Sequence, residues 1–229
     1  MSRTDRIVVL SGAGLSAESG LGTFRDVAGL WTRYDLNEVA TPEGFARNSG
    51  LVHDFYNARR ANMVAATPNA AHAALARLST RPGLTLVTQN VDDMLERVGA
   101  RNVIHMHGEL SGALCAACTT RWPAPPVMAP DDPCPACGVS ATRPDVVWFG
   151  EMPYRMDEIE TALSRADLFV SIGTSGTVYP AAGFVELARE AGARTLELNL
   201  EASGGRFDEV REGPASETVP VWVAEILGT

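Results

Sequence analysis

The sequence predicts an α/β fold: a doubly wound parallel sheet, interrupted by a helical insert and by a small cysteine-bearing module. Three observations carry this. Short apolar runs of strand length alternate with helix-period segments along most of the chain. The first run opens directly into a glycine-rich turn. Four cysteines crowd into one proline-rich stretch that cannot supply a continuous core element. Buried strands separated by helices imply parallel pairing with helices on both faces, and the glycine-rich first turn makes the sheet Rossmann-like.

Taken in order, residues 7–10 are the first strand, and a helix is predicted from Ser16 after the glycine turn. Residues 26–67 hold aromatics and arginines with little strand character, and are expected to form inserted helices. Residues 72–78 read as a helix, stopped by Arg81-Pro82-Gly83, and 84–87 as a buried strand. A helix over 92–98, a strand over 168–172, a helix over 180–191, a strand over 195–198 and a final helix over 220–227 complete the pattern. The expected organisation is one catalytic unit over 1–229. Its large domain comprises about 1–25, 68–107 and 145–229, with the insert at 26–67 and the module at 108–144.

At 229 residues, 45% hydrophobic and 21% charged, the composition is that of a soluble globular protein. No apolar run approaches the roughly 20 residues that span a bilayer, so no membrane association is expected. Met1 to Arg6 lack the apolar core of a signal peptide and lead straight into the first strand, so a cytoplasmic protein, taken as a monomer, is expected. A net charge of −9 argues against a broad attraction to nucleic acid. All 19 basic residues are arginine, for which biased codon usage is a sufficient explanation.

Gly12-Ala13-Gly14-Leu15-Ser16-Ala17 has the G-x-G-x-x-A form of a phosphate loop. Its glycines let the backbone turn sharply and approach a pyrophosphate held by amides at a helix N-terminus; glycines in a βα turn can also be there for steric reasons alone. A dehydrogenase would want an acidic residue about 20 positions on, at the end of a second strand. Thr23-Phe24-Arg25-Asp26 follows instead, with no strand before it. Cys115-x2-Cys118 and Cys134-x2-Cys137, fifteen residues apart, have the spacing of a structural zinc site rather than of a redox dithiol. Four cysteines leave no open coordination position, so this zinc holds a fold and does no chemistry.

Thr88-Gln89-Asn90-Val91-Asp92 sits at the carboxyl end of a strand, the edge where open α/β sheets bind ligands. Asn90 and Asp92 suit sugar hydroxyls or a carboxamide, although such a loop also serves to cap a helix. In His105-Met106-His107-Gly108-Glu109, either histidine is a candidate general base, a structural hydrogen-bonding group or a metal ligand, the last disfavoured because four cysteines already satisfy zinc.

Together these residues resemble the sirtuin family of NAD-dependent protein deacylases. The match runs through residues 12–20, Thr23-Phe24-Arg25, residues 88–92, His107-Gly108 and the four cysteines. It continues through Val146-Val147-Trp148-Phe149-Gly150-Glu151, Gly173-Thr174-Ser175 and Leu198-Asn199-Leu200-Glu201, in family order. Gly22 stands where many members have proline.

The resemblance implies roles position by position. Gly12, Ala13, Gly14, Ser16, Ala17 and Glu18, with Thr23, Phe24, Arg25 and Trp31, would cradle the phosphates and reactive ribose of NAD. Gln89, Asn90, Val91 and Asp92 would line the ribose and nicotinamide pocket, with Asn90 contributing to catalysis. His107 matches the catalytic base, leaving His105 structural. Gly173, Thr174 and Ser175 would meet phosphate or ribose, Asn199, Leu200 and Glu201 the adenosine ribose, and Ala215 the adenine. Val146, Val147 and Phe149 would pair with the backbone of an acyl-lysine substrate as an added strand. In the implied reaction the acyl oxygen attacks the nicotinamide ribose and nicotinamide leaves. His107 then deprotonates a ribose hydroxyl, which attacks the resulting imidate carbon; lysine is released and the acyl group ends on ADP-ribose. Lacking lysine, such an enzyme could not be its own substrate through a side chain.

Tyr56 and Arg59, three apart on a predicted helix, share a face. A guanidinium beside a phenol binds a carboxylate by charge-assisted hydrogen bonds, whereas Arg60 points elsewhere. The pair, with Ala40-Thr41-Pro42-Glu43-Gly44-Phe45, resembles the class III subgroup that removes succinyl and malonyl groups. An arginine buried there is costly without an anionic substrate, so acetyl-lysine should be the poorer one. The reading of Arg59 as a solvated surface charge stands beside this. Protein ADP-ribosyl transfer would use the same NAD site without needing Tyr56 and Arg59. A non-enzymatic NAD sensor would have no need of His107. A zinc-ribbon nucleic-acid binder fits the cysteines but not the acidic balance.

Overall fold

The structure is a computed structural model and describes residues 5–22 and 34–229. From the N-terminus its elements are β1 (Ile7–Ser11), α1 (Leu36–Val39), α2 (Pro42–Arg47), α3 (Ser49–Ala65), α4 (Ala70–Leu78), β2 (Leu84–Thr88), α5 (Met94–Arg97) and β3 (Val103–His105). There follow β4 (Gly108–Cys115), β5 (Arg121–Pro123), β6 (Thr142–Val146), α6 (Met156–Leu163), β7 (Leu168–Ile172), α7 (Phe184–Glu190), β8 (Arg194–Asn199), β9 (Glu209–Glu212) and α8 (Ala215–Leu227).

Six strands form the expected parallel sheet in the order β3-β2-β1-β7-β8-β9. The central strand β1 is buried at all five positions because both faces are covered. Ile7 and Val9 join Leu86, Val170 and Leu196 on one face, packed with Leu75 and Leu78 of α4 and Trp222 of α8. Val8 and Leu10 join Val87 and Phe169 on the other, with Ile159 and Leu163 of α6 and Phe184 of α7. Each such side chain removed from water contributes about 1.5–3 kcal/mol. A second, antiparallel sheet, β5-β4-β6, carries the cysteines. Helices α1–α3 close over its base through Val39, Val52, Phe55 and Tyr56, which meet Leu110, Val146 and Trp148. Arg60 points away from the Arg59 side and pins α3 to this sheet through Leu110 O at 2.8 Å. Among the described residues, no helix is long and apolar enough to cross a membrane.

Several elements differ from expectation. No α-helix starts at Ser16: two 3-10 turns, Ala13–Leu15 and Ala17–Ser19, end at Gly20 in a left-handed conformation. The Ser16 hydroxyl is drawn into buried bonds, and a glycine-rich segment is a poor helix former. The helix expected over 92–98 shrinks to α5, because Asp92 turns back to accept the Met94 amide. The last helix starts earlier, at Ala215, and runs through Pro220. Strands β3, β4, β5, β6 and β9 and helix α6 were not expected; β6 carries Arg, Pro and Asp, and β9 is a largely exposed edge strand, so neither shows an apolar signal.

The chain order reverses between β1 and β7, which places a ligand crevice at their carboxyl ends. There the two strand ends touch backbone to backbone: Gly12 N donates to Ile172 O at 2.9 Å and Gly14 N to Gly173 O at 2.8 Å. A Cβ on Gly14 would stand 2.7 Å from Gly173 Cα, and one on Gly173 would stand 2.6 Å from Leu15 N. Gly173 is also left-handed, with φ +59. The comparison that isolates the contact is with Gly20, whose φ is +87 but whose Cβ would meet nothing within 4 Å. Urea unfolding should show Gly20→Ala costing about 1–2 kcal/mol, and Gly173→Ala about 1–3 kcal/mol more. Equal losses would contradict the role given to the contact.

Candidate active site

Ser16, Asn90, Asp92 and His72 converge beside this crevice. Asn69 N donates to His72 Nδ1 at 3.1 Å, which leaves the proton on Nε2, 3.2 Å from Ser16 Oγ. Ser16 Oγ therefore accepts from His72 and donates to Asp92 Oδ2 at 3.0 Å. Asn90 Nδ2 lies 3.1 Å from Gly12 O and 3.2 Å from Ser16 Oγ, tying the β2 loop to the glycine turn. Burial pushes His72 down to about 4 and raises Asp92 above the ordinary carboxylate range, against its bonds from Met94 and Ser16. Asp92 uses both carboxylate oxygens: Oδ1 accepts the Met94 amide at 3.2 Å, one residue before the N-cap of α5, and Oδ2 accepts from Ser16.

The two candidate bases separate by environment. His107 Nδ1 lies 3.1 Å from Gln89 O, so that nitrogen carries the proton and Nε2 keeps a lone pair. Burial lowers the pKa of His107, outweighing its bond to the Gln89 carbonyl. For His105 burial also disfavours charge, but the Glu96 carboxylate, 2.9 Å from Nε2, and Glu109 outweigh it and raise its pKa. His107 has the form of a neutral base and His105 that of a structural ion-pair partner.

Around β7 and β8, Thr174 Oγ1 bonds Ser171 Oγ at 2.9 Å, and Ser175 Oγ bonds Thr177 Oγ1 at 2.8 Å. Asn199 Nδ2 is held by Thr174 O at 2.8 Å and by Glu197 Oε1 at 3.1 Å. Leu200 and Glu201 are exposed, and Ala215 is the buried first residue of α8. The Glu18 carboxylate is taken up by the start of α8, at 3.0 Å from Ser216 N and 2.7 Å from Ser216 Oγ. Ala13, Ala17 and Val91 border the same turns. Thr23, Phe24, Arg25 and Trp31 lie outside the described residues.

On α3, Tyr56 is buried and its phenol accepts Trp148 Nε1–H at 3.0 Å. The Arg59 guanidinium lies 5.6 Å from the centre of the Tyr56 ring and 5.7 Å from that of Phe55. Burial lowers the Arg59 pKa, and the Tyr56 phenol and the charge of Asp92 oppose that. Arg59 is half-buried and lies within electrostatic reach of Asp92. Val147 N and Phe149 N donate within the chain, to His107 O at 2.8 Å and Ala40 O at 2.9 Å. Val146 pairs with Gly108. An added strand would have to use other groups of this segment.

The four cysteine sulfurs lie within 4.8 Å of one another. Cys115–Cys137 and Cys118–Cys134 are 3.8 and 3.7 Å apart, close to the roughly 3.8 Å edge of a tetrahedron around zinc with 2.3 Å Zn–S bonds. A hydrogen bond with Thr120 draws Cys118 down to about 6. The Val139 amide favours the Cys137 thiolate, yet its neighbouring thiols push it up to about 12. Four thiols this close ionise together only around a cation, and the donor set fits zinc.

Sequence reasoning missed three participants. His72 was read only as part of a helix, although an Asn three residues before it is a capping signal. Glu197, a carboxylate within a buried strand, carried the signal of a charge in an apolar run. Trp148 was quoted only within the motif.

A model of the Sir2 family matches residues 12–180. A protein of Caulobacter vibrioides named NAD-dependent protein deacylase is 61% identical, over 97% of each chain. Among solved structures, a mutant Sir2 homologue in complex with ADP-ribose has a TM-score of 0.90 at 38% identity, over 97% of this chain and 92% of that one. A Sir2 homologue in complex with NAD has a TM-score of 0.88 at 37% identity, over 97% and 90%.

Because His72 is buried neutral, with a folded pKa near 4 against an ordinary 6.5, it costs nothing above pH 6.5. Its contribution falls as pH drops from 6.5 towards 4, by about 3 kcal/mol in all. Asp92, raised in the fold, works in the opposite sense. Denaturant titrations across this window should show a steeper acid loss for the native chain than for His72→Gln. Parallel curves would contradict the buried, neutral state of His72.

Proposed function

The chain belongs to the Sir2 family, and from that premise we propose that it is an NAD-dependent protein-lysine deacylase preferring acyl groups that end in a carboxylate, succinyl or malonyl, over acetyl. The observation that carries the preference is Arg59. It is a guanidinium set over the rings of Tyr56 and Phe55, partly out of water, on the side of α3 that feels Asp92. A cation in such surroundings is stabilised by an anion arriving with the substrate.

NAD, when bound, would supply a ribose carbon from which nicotinamide departs and a ribose hydroxyl that takes over the acyl group as the lysine amine is released. The rest falls to the chain's own side chains. The amides of the glycine turn, the residues 23–25 beyond it with Trp31, and the Gly173–Ser175 turn hold phosphate and ribose. Asn90, fixed by Gly12 O and Ser16, and Asp92, fixed by Ser16 and Met94, line the reacting end with Gln89 and Val91. Asn199, Leu200, Glu201 and Ala215 hold the adenosine end. His107 takes the proton at Nε2, since Nδ1 is committed to Gln89 O. Zinc, held by Cys115, Cys118, Cys134 and Cys137, stabilises the small sheet and stays outside the reaction. The chain acts as one catalytic unit on acyl-lysine proteins. A cytoplasmic monomer that binds no nucleic acid belongs to the same proposal.

Two outcomes follow. Arg59→Met should lower kcat/KM for a succinyl peptide by about 30-fold or more, the loss of one charged hydrogen-bonded contact of 2–3 kcal/mol, while the acetyl peptide loses far less. Equal losses for both peptides would remove the acyl assignment. With His107 neutral in the active form and its pKa lowered by burial, the acid limb of kcat should fall below the 6.5 of an ordinary imidazole. His107→Ala should cost about 10²–10⁴ in kcat. An acid limb above 6.5 would place the proton transfer elsewhere.

A further inference from the structure

Resting on that reading, we propose that Trp148 is a specificity-determining positioning residue: by donating its indole N–H to Tyr56, it turns the phenol proton toward the acyl carboxylate. An indole N–H donates and cannot accept, so at 3.0 Å from Trp148 Nε1 the Tyr56 oxygen must be the acceptor. A guanidinium has no acceptor either, so Arg59, beside the same ring, cannot take the phenol proton. Among the described residues no bond donated by Tyr56 is seen. The proton is left for an acceptor arriving on the Arg59 side, and a carboxylate is the acceptor that a phenol and a guanidinium satisfy together.

Trp148 is fixed for this task by more than packing. The Arg143 guanidinium lies 3.4 Å from the centre of its ring. Arg143 is held in turn by Glu151, at 2.6 and 2.9 Å, and by Val146 O at 2.8 Å. Glu151 Oε2 also accepts Trp148 N at 2.8 Å, so the same ion pair grips the residue by backbone and by ring. Phe45, its centroid 5.2 Å from that of Trp148, supports the indole from α2. Trp148 touches the phenol and not the acyl group; its effect passes through Tyr56.

The test uses Trp148→Phe, which keeps an aromatic ring in the stack and removes only the donor. Steady-state kinetics of the zinc-loaded enzyme with one peptide in succinyl and acetyl forms should show the succinyl KM rising about 5- to 20-fold with kcat within about twofold. The acetyl KM should move far less. In Tyr56→Phe the same substitution should add nothing further, because the phenol it orients is gone. Equal changes for both peptides, or additive effects with Tyr56→Phe, would overturn the proposal. If Trp148→Phe fails to fold, the indole N–H resonance of the ¹⁵N-labelled native chain gives the readout. It should shift on adding succinyl peptide and stay in place with acetyl peptide, and equal shifts would overturn the idea. Failure here is distinct from failure of the acyl preference itself. In that case Arg59→Met would also cease to separate the two peptides.

Discussion

The backbone contact between the glycine turn after β1 and Gly173 after β7 sets the geometry of everything above the sheet. Parallel strands deliver both turns to the same edge, but only residues without a Cβ let them approach to hydrogen-bonding distance. With Gly14 N bonded to Gly173 O the turn is held against β7, and Ser16 is delivered to Asp92 and His72 instead of to solvent. Asn90 reads the position of that same turn through Gly12 O. The crevice is therefore a consequence of close backbone packing, and the loop glycines have a steric purpose before any ligand arrives.

Electrostatics then assigns unlike tasks to like residues. His105 and His107 are two positions apart, yet one gains two carboxylate neighbours and the other faces only a carbonyl and burial. Charge is therefore favoured at the first and opposed at the second. The same contrast separates Arg59 from Arg60. Arg60 spends its donors on Leu110 O and Asn57 and becomes a rivet between α3 and the small sheet. Arg59 lies over aromatic rings toward the crevice. Adjacent positions on a helix point about 100° apart, which suffices to give the two arginines different surroundings.

Much of this was legible in the residues. The apolar runs at β1 and β7 are buried throughout and those at β2 and β8 over most of their length, so their pattern reports the sheet directly. The cysteine spacing reports the cluster, because the ligand geometry is local. What escaped notice depends on distant pairing. β6 and β9 become strands only because β4 and β8 offer them edges. His72 joins the site only because Asn69 fixes its ring and Ser16 lies 56 positions away in sequence. The strand addition expected at Val146, Val147 and Phe149 would use groups other than the Val147 and Phe149 amides, which His107 O and Ala40 O take in the fold. Trp148 and Tyr56 are 92 positions apart, and no spacing rule joins them.

The central claim is that one site couples NAD consumption to the reading of an acyl carboxylate. Mass spectrometry of a single lysine peptide, offered succinylated and acetylated, with and without NAD, tests it most directly. NAD-dependent loss of succinyl should outpace loss of acetyl, with acyl-ADP-ribose appearing as the product. Loss of acetyl at an equal or greater rate, or turnover of the succinyl peptide without NAD, would contradict it.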